Sequence, residues 1–156
     1  MIAFTLRDPA EADKPFLYAV YASTREEEMN AWGWEEQEQA AFLRMQYDFQ
    51  CRSYSMQYPS LEDQVIVCEG ARVGRIATAQ SEEGMTIVDI AIMPAYRGRG
   101  IGTSVLEKVC QDAMDRGVPV WLSVRHDNRA VRLYRRLGFA CAGRDEMNLY
   151  MKKSAV

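Results

Sequence analysis

The sequence predicts an α/β fold of the α+β type, in which a mixed, mostly antiparallel sheet of six or seven strands carries about four helices on its two faces. Three β-rich segments, 64–69, 72–80 and 85–93, follow one another with only short turns between them, which indicates consecutive antiparallel strands. A glycine-rich stretch then opens an amphipathic helix, and a strand, a helix and two short strands follow. The resulting order, β-α-α-β-β-β-α-β-α-β-β, predicts one sheet with helices on both faces.

The first third of the chain is predicted to contain one strand and two helices. Alternating apolar and polar residues over 2–7 predict the strand, and an Asp-Pro pair after it predicts a helix from Pro9 to about Arg25. Residues 26–33 then form an irregular connection, with Trp34 just beyond it. Apolar residues spaced three and four apart predict a second helix over 35–58, which a proline ends.

The remaining elements follow from runs of apolar residues. The segment 87–92 is apolar on both faces, which predicts a central strand, and only Asp89 interrupts it. Helices are predicted over about 101–116 and 128–137, with a strand over 119–124 between them. Because no repeat or Pro/Gly/Ser-rich linker divides the chain, residues 1–156 are expected to form a single domain.

Composition narrows the classes of function. Hydrophobic residues make up 48% and charged residues 26%, which is typical of a globular protein. The net charge of −3 disfavours nucleic acid as a partner, and no apolar run is long enough to cross a membrane. One histidine and four scattered cysteines predict no metal site. The first residues lack the pattern of a signal peptide, so a cytoplasmic protein is expected.

Charge is distributed unevenly along the chain. Residues 1–96 hold 7 basic and 16 acidic residues, a balance of −9, whereas residues 97–156 hold 12 basic and 6 acidic residues, a balance of +6. One interpretation is that the second half binds an anion and the first half attracts a cation. The alternative is that both are solvated surfaces without a ligand.

The most informative segment is 97–103, Arg-Gly-Arg-Gly-Ile-Gly-Thr, between a buried strand and a helix. The first amides of a helix have no intrahelical partners, and glycines allow a ligand to approach the backbone, so this geometry suits a pyrophosphate. A tight turn without a ligand is the alternative. A dinucleotide fingerprint is disfavoured because Thr103 stands where its third glycine belongs, and a Walker loop is excluded by the absence of Gly-Lys-Ser/Thr.

Two blocks together resemble the GNAT superfamily of N-acetyltransferases. The first is Arg97-x-x-Gly100-x-Gly102 after Ile-Ala-Ile-Met-Pro, and the second is the Asn…Ala…Leu-Tyr…Leu-Gly-Phe pattern over 128–139. They stand in the family's order, and with the element order the resemblance covers essentially the whole chain. The resemblance implies acetyl-CoA as co-substrate. The implied cofactor-binding residues are Ile90, Ala91, Ile92, Arg97, Gly98, Arg99, Gly100, Ile101, Gly102, Thr103, Asn128 and Tyr134.

The resemblance also implies catalytic roles. Tyr134 matches the tyrosine that returns a proton to the departing thiolate, and a core aromatic is the alternative reading of that residue. Relatives that modify protein N termini often carry a glutamate where this chain has Ser123, which is not a base. Asp89 is the internal alternative as a base, since burial in an apolar strand should raise its pKa. A structural hydrogen bond is an equally weighted role for Asp89, and His126 is expected to be a loop residue.

In relatives the first two helices and their connection shape the acceptor site. Here that region contains Glu26, Glu27, Glu28, Trp32 and Trp34, which suits a cationic amine. The predicted function is transfer of acetyl from acetyl-CoA to a primary amine of a small molecule or peptide. The alternatives are acetylation of a protein N terminus or lysine, and a CoA-binding regulatory module without activity. Neither nucleic acid nor membrane is expected as a partner, and a homodimer is a further expectation because relatives often dimerise.

Overall fold

A computed structural model describes residues 2–155 and confirms the predicted order of elements. It contains seven strands and four α-helices in that part of the chain. The strands are β1 (Thr5–Arg7), β2 (Glu62–Cys68), β3 (Ala71–Ser81), β4 (Gly84–Ile92), β5 (Val120–Arg125), β6 (Ala140–Arg144) and β7 (Asn148–Lys153). The helices are α1 (Lys14–Ala31), α2 (Glu36–Gln57), α3 (Ile101–Asp115) and α4 (Ala130–Arg136). None of the described helices is long and apolar enough to cross a bilayer.

The strands form one mixed sheet in the order β1-β2-β3-β4-β5-β7-β6. Strands β4 and β5 run parallel, and every other neighbouring pair is antiparallel. A parallel pair needs a crossover connection, and α3 supplies it between β4 and β5. The mixed, mostly antiparallel sheet predicted from the sequence is therefore confirmed.

Helices bury both faces of the sheet centre. On one face α3 and α4 pack against β4, β5 and β7, where Val105, Leu106 and Met151 are almost fully buried. On the other face α1 and α2 pack together through Tyr21, Met29 and Leu43. Strand β3 is buried at every position from 73 to 79, as expected for a strand covered on both sides.

The start of the first helix corrects the sequence prediction. A 3₁₀ turn covers Glu11–Asp13, and α1 begins only at Lys14, so the Asp-Pro pair at 8–9 does not cap it. The carboxylate that organises this end is Asp13, which accepts the Ala10 N–H at 2.7 Å. Because Asp13 also pairs with two arginines, it holds the segment before α1 in place.

The end of the first helix also differs from the prediction. Helix α1 continues to Ala31, so residues 26–31 are helical and only 32–35 connect the two helices. Met29 explains the extension, because it is 1% exposed and packs in the cluster that includes Tyr21 and Leu43. An ion pair from Arg25 Nε to Glu28 at 2.9 Å, three residues apart, adds to it.

Candidate active site

Strands β4 and β5 separate within the sheet. They pair only at Met85–Val120, Thr86–Trp121 and Ile87–Leu122, while β4 continues to Ile92. The register of β4 against β3 shifts at the point of separation, because Thr78 pairs with Ile87 and Ala77 with Asp89. The bulge at Val88 bends β4 away from its parallel neighbour. The outer backbone edge of 90–92 consequently faces an opening rather than a strand.

The glycine-rich loop brings the start of α3 to the end of this opening. Gly98 and Gly100 have φ values of +76° and +82°, a left-handed conformation that favours glycine at both positions. The Ser104 N–H donates to the Gly100 carbonyl at 3.0 Å, so the amides of 101–103 precede the first hydrogen bond of the helix. These amides and the helix dipole create an anion-binding end.

The two arginines of the loop have different surroundings. Arg97 donates from Nε to the carbonyl oxygen of Ile92 at 2.9 Å, which links the loop to the free edge of β4. The Arg99 guanidinium lies 5.4 Å from the centre of the Tyr96 ring. Both remain on the surface around the helix start, where a cationic group can contact phosphate.

A cavity of about 890 Å³ lies along the opening. It brings together residues that are up to about a hundred positions apart in the sequence, from α1, β4, the glycine-rich loop and α4. The predicted site residues among its lining are Glu26, Glu27, Glu28, Ile90, Ala91, Ile92, Arg97, Asn128 and Tyr134. Trp32 and Trp34 do not line it; they pack around Phe42 with ring centres 5.3–5.7 Å apart. Residues 98–103 follow Arg97 outside the cavity.

Tyr134 lines this cavity and also a second one of about 380 Å³. The residue is buried on α4, and its ring packs edge-on against Phe139 with centres 5.9 Å apart. Burial raises the pKa of Tyr134, and the Asp89 carboxylate raises it further. The phenol therefore keeps its proton at neutral pH, as a proton donor must.

Asp89 also lines the second cavity, and it forms an ion pair. Its Oδ2 accepts from Arg75 Nη1 at 3.0 Å, while the same guanidinium donates to Asp63 Oδ1 at 2.6 and 2.9 Å. Burial raises the pKa of Asp89, Arg75 lowers it and Asp63 raises it. Asp89 therefore makes a structural contact with Arg75 and also lines the second cavity, while its role as a base stays a prediction.

The sequence does not predict several residues around the second cavity and a neighbouring one. Tyr54 and Tyr58 fit the apolar spacing that predicts α2, yet they line these cavities beside β5. Trp121 was not singled out, although it alternates with the buried Val120 and Leu122 and so had to face the opposite side of the sheet. His126 lies in an exposed loop, where Nε2 is 2.9 Å from the Glu146 carbonyl oxygen.

The sheet opens between two parallel strands, and the start of α3 lies beside this opening. A comparison with protein families assigns the fold: the model of the acetyltransferase (GNAT) family matches residues 17–139. The chain belongs to that family.

Individual relatives resemble the chain over part of its length. Streptothricin acetyltransferase from Streptomyces lavendulae is 37% identical over 81 residues, which are 49% of this chain and 43% of the relative. The [ribosomal protein bS18]-alanine N-acetyltransferase from Haemophilus influenzae is 42% identical over 55 residues, 35% of this chain and 38% of the relative. The chain therefore spans about two fifths of the length of these curated relatives.

Among solved structures, the PaiA N-acetyltransferase from Thermoplasma acidophilum in complex with coenzyme A superposes with a TM-score of 0.73. It is 17% identical, and the match covers 98% of this chain and 99% of that one. At this level of identity the likeness establishes the fold.

Proposed function

We propose that this protein transfers the acetyl group of acetyl-CoA to a primary amine. The observation that carries the proposal is the convergence of three features on one opening: the unpaired edge of 90–92, the start of α3 and the Tyr134 phenol. An extended amide chain such as pantetheine can pair with a free strand edge, and a pyrophosphate suits the helix start. Family membership and the relative solved with coenzyme A support the same cofactor.

The proposed cofactor residues fall into two groups. Backbone groups of Ile90, Ala91 and Ile92 would pair with the pantetheine arm. The loop of 98–103 would hold the pyrophosphate through its amides, with Arg97 and Arg99 adding charge. Asn128 accepts the Ala130 N–H through Oδ1 at 2.8 Å, which leaves its amide N–H groups to donate to the cofactor. When bound, acetyl-CoA supplies the thioester whose carbonyl carbon the amine attacks.

Two side chains handle the protons of this reaction. The bound ammonium first loses a proton to solvent, because only the neutral amine can attack. The amine then forms the new C–N bond while the C–S bond breaks, so one further proton must leave the nitrogen and one must reach the sulfur. We assign the first to Asp89, directly or through water, and the second to Tyr134. Both line the same cavity, one as a carboxylate and the other as a neutral phenol. This pairing of a base with an acid is an argument against a silent CoA-binding module.

The acceptor is proposed to be a small amine. Glu26, Glu27 and Glu28 reach the large cavity from the last turns of α1, where carboxylates oppose the helix dipole. Such a cluster attracts a protonated amine. Acetylation of a protein N terminus, suggested by the bS18-alanine N-acetyltransferase relative, is the second candidate; Ser123 in place of a glutamate disfavours it. The cytoplasmic location, the homodimer and the lack of a metal requirement stay predictions.

Binding and turnover test this proposal separately. Acetyl-CoA and CoA at about 100 times Kd should each stabilise the protein by about 2.7 kcal/mol in thermal unfolding, whereas NAD and ATP should not. In a thiol-release assay with an amine library, Tyr134→Phe should lower kcat about 10- to 1000-fold with cofactor affinity retained. Tyr18→Phe, outside the cavity, is the matched control.

Three results would contradict parts of the proposal. No stabilisation by either CoA species would remove the cofactor assignment. Normal turnover in Tyr134→Phe would remove the assigned acid. An amine KM that does not rise with ionic strength would contradict the role of the three glutamates, because salt screens attraction between exposed charges.

A further inference from the structure

One face of the sheet is left partly open beside the proposed reaction centre. Helices α1 and α2 cover the sheet face of β2 to β4, but the same face of β5 and β7 is not covered: Ser123 and Tyr150 are exposed there. The intervening residues of these strands, such as Leu122 and Met151, point into the core on the other side. The last turns of α2 form a wall along this open face.

A cavity of about 400 Å³ lies between that wall and the open face. Four of its lining residues are aromatic: Tyr54, Tyr58, Trp121 and Tyr150. All ten lining residues are uncharged, in contrast to the large cavity with its three glutamates. This volume and composition suit a small, largely apolar group. We refer to this space as the aromatic cavity.

The aromatic cavity adjoins the proposed reaction centre. It shares Tyr54 and Ser123 with the second cavity, which Asp89 and Tyr134 also line. The second cavity in turn shares Ile90, Asn128 and Tyr134 with the large cavity. A molecule in the aromatic cavity could therefore extend an amine past Ser123 to the Asp89 carboxylate.

The contacts of the residues that line the aromatic cavity favour an uncharged ring of the acceptor over a second cationic group. Aromatic side chains can bind cations, but the Lys152 ammonium already lies 4.8 Å from the centre of the Trp121 ring. Tyr150 donates from its hydroxyl to Asp145, which also accepts the backbone N–H groups of Met147 and Asn148, so this ring is held in place. A polyamine would have to desolvate its second charge here without a carboxylate partner among the lining residues.

We propose that the aromatic cavity binds the body of the acceptor, and that the acceptor is an arylalkylamine, a primary amine on a short chain attached to an uncharged aromatic ring. This inference rests on the proposed acetyl transfer. The ring would pack edge-on or offset against the four aromatic side chains. The cavity, rather than the glutamates of α1, then selects among amines.

The test compares 2-phenylethylamine with 1,5-diaminopentane as acceptors. The wild-type protein should prefer 2-phenylethylamine in kcat/KM by about tenfold, the ratio expected for one well-packed aromatic contact.

Tyr150→Ser should raise the KM for 2-phenylethylamine about tenfold by removing one such ring, while the KM of Tyr150→Phe stays within about twofold of the wild-type value. In Tyr150→Ser, the KM for propylamine, which has no ring to pack in the cavity, should change less than the KM for 2-phenylethylamine. Tyr58→Ser and Tyr58→Phe form a second pair if the first does not fold.

The outcomes separate this inference from the proposed function. Equal use of the two acceptors, preference for the diamine, or an unchanged KM in both serine variants overturns the inference while acetyl transfer stands. If no amine is acetylated, acetyl transfer fails, and calorimetric titration of 2-phenylethylamine into the protein with CoA decides the binding site. Binding weakened by Tyr150→Ser then supports the aromatic cavity, and no binding overturns it.

Discussion

Among residues 2–155, two charge clusters with buried central groups have opposite composition. In one, the Asp13 carboxylate lies between two arginines, with Arg7 Nη1 at 2.6 Å and Arg72 Nη1 at 3.1 Å. In the other, the Arg75 guanidinium lies between Asp63 and Asp89. The two central side chains are almost equally buried, with 4% and 6% of their surface exposed.

The difference in composition corresponds to a difference in role. The cluster around Asp13 joins β1, β3 and the segment before α1, and its hydrogen bonds hold the pKa of Asp13 far below the usual range. The cluster around Arg75 contains two carboxylates and one cation, and burial raises the pKa of Asp89. The cluster around Asp13 satisfies its central charge, whereas the cluster around Arg75 leaves the Asp89 carboxylate, with its raised pKa, beside a cavity.

The largest expected effect is a loss of catalytic activity on replacement of Asp89, one of the two carboxylates that contact Arg75. Asp89→Asn should lower kcat/KM about 100- to 1000-fold, because the proposed general base is lost. Since Asp89 must be ionised to act, wild-type activity should fall with decreasing pH through its raised pKa, and the variant should lose this acidic limb. Asp63→Asn is the control, because it removes a carboxylate from the same guanidinium. Similar rates and pH profiles in the two variants would assign Asp89 to structure alone.

A smaller effect, on the stability of the fold, is expected from replacing Arg75, the cation between Asp63 and Asp89. Arg75→Met should lower the free energy of unfolding by about 3 kcal/mol, because two carboxylates lose their partner in a partly buried site. Arg72→Met should cost less than about 1 kcal/mol, since Arg72 is half-exposed and Asp13 keeps Arg7. Urea unfolding at neutral pH measures both. Equal losses would show that the two clusters do not differ as described.

The smallest expected effect is the contribution of Asp13 to the melting temperature, which should change only at acidic pH. Because the pKa of Asp13 is lower in the folded state than in the unfolded chain, its ionised form stabilises the fold above the unfolded value. That contribution is lost as pH falls from the unfolded pKa towards the folded one. The melting temperature of the wild type should therefore fall more steeply than that of Asp13→Asn below about pH 4. Parallel curves would exclude Asp13 as the titrating group.

Local patterns explain how much of this could be predicted. Turn glycines, β-branched runs and apolar spacing predict the element order, and the two sequence blocks identify the loop and Tyr134. Arg75 could not be assigned, because its partners Asp63 and Asp89 lie 12 and 14 residues away and meet it only through strand pairing. The aromatic cavity depends on where α2 ends relative to β5, a long-range relation with no local signal. Trp32 and Trp34 lie outside the large cavity because α1 extends to Ala31 and the two rings pack around Phe42.

The separation of β4 from β5 has a kinetic consequence. The opening passes through the sheet, with the start of α3 and α4 on one face and the aromatic cavity on the other. Under the proposed assignments the reacting amine and the cofactor meet in the large cavity, while the body of the acceptor lies in the aromatic cavity on the other face of the sheet. Such an arrangement suits the proposed direct transfer in a ternary complex, in which no acyl group passes through an enzyme side chain.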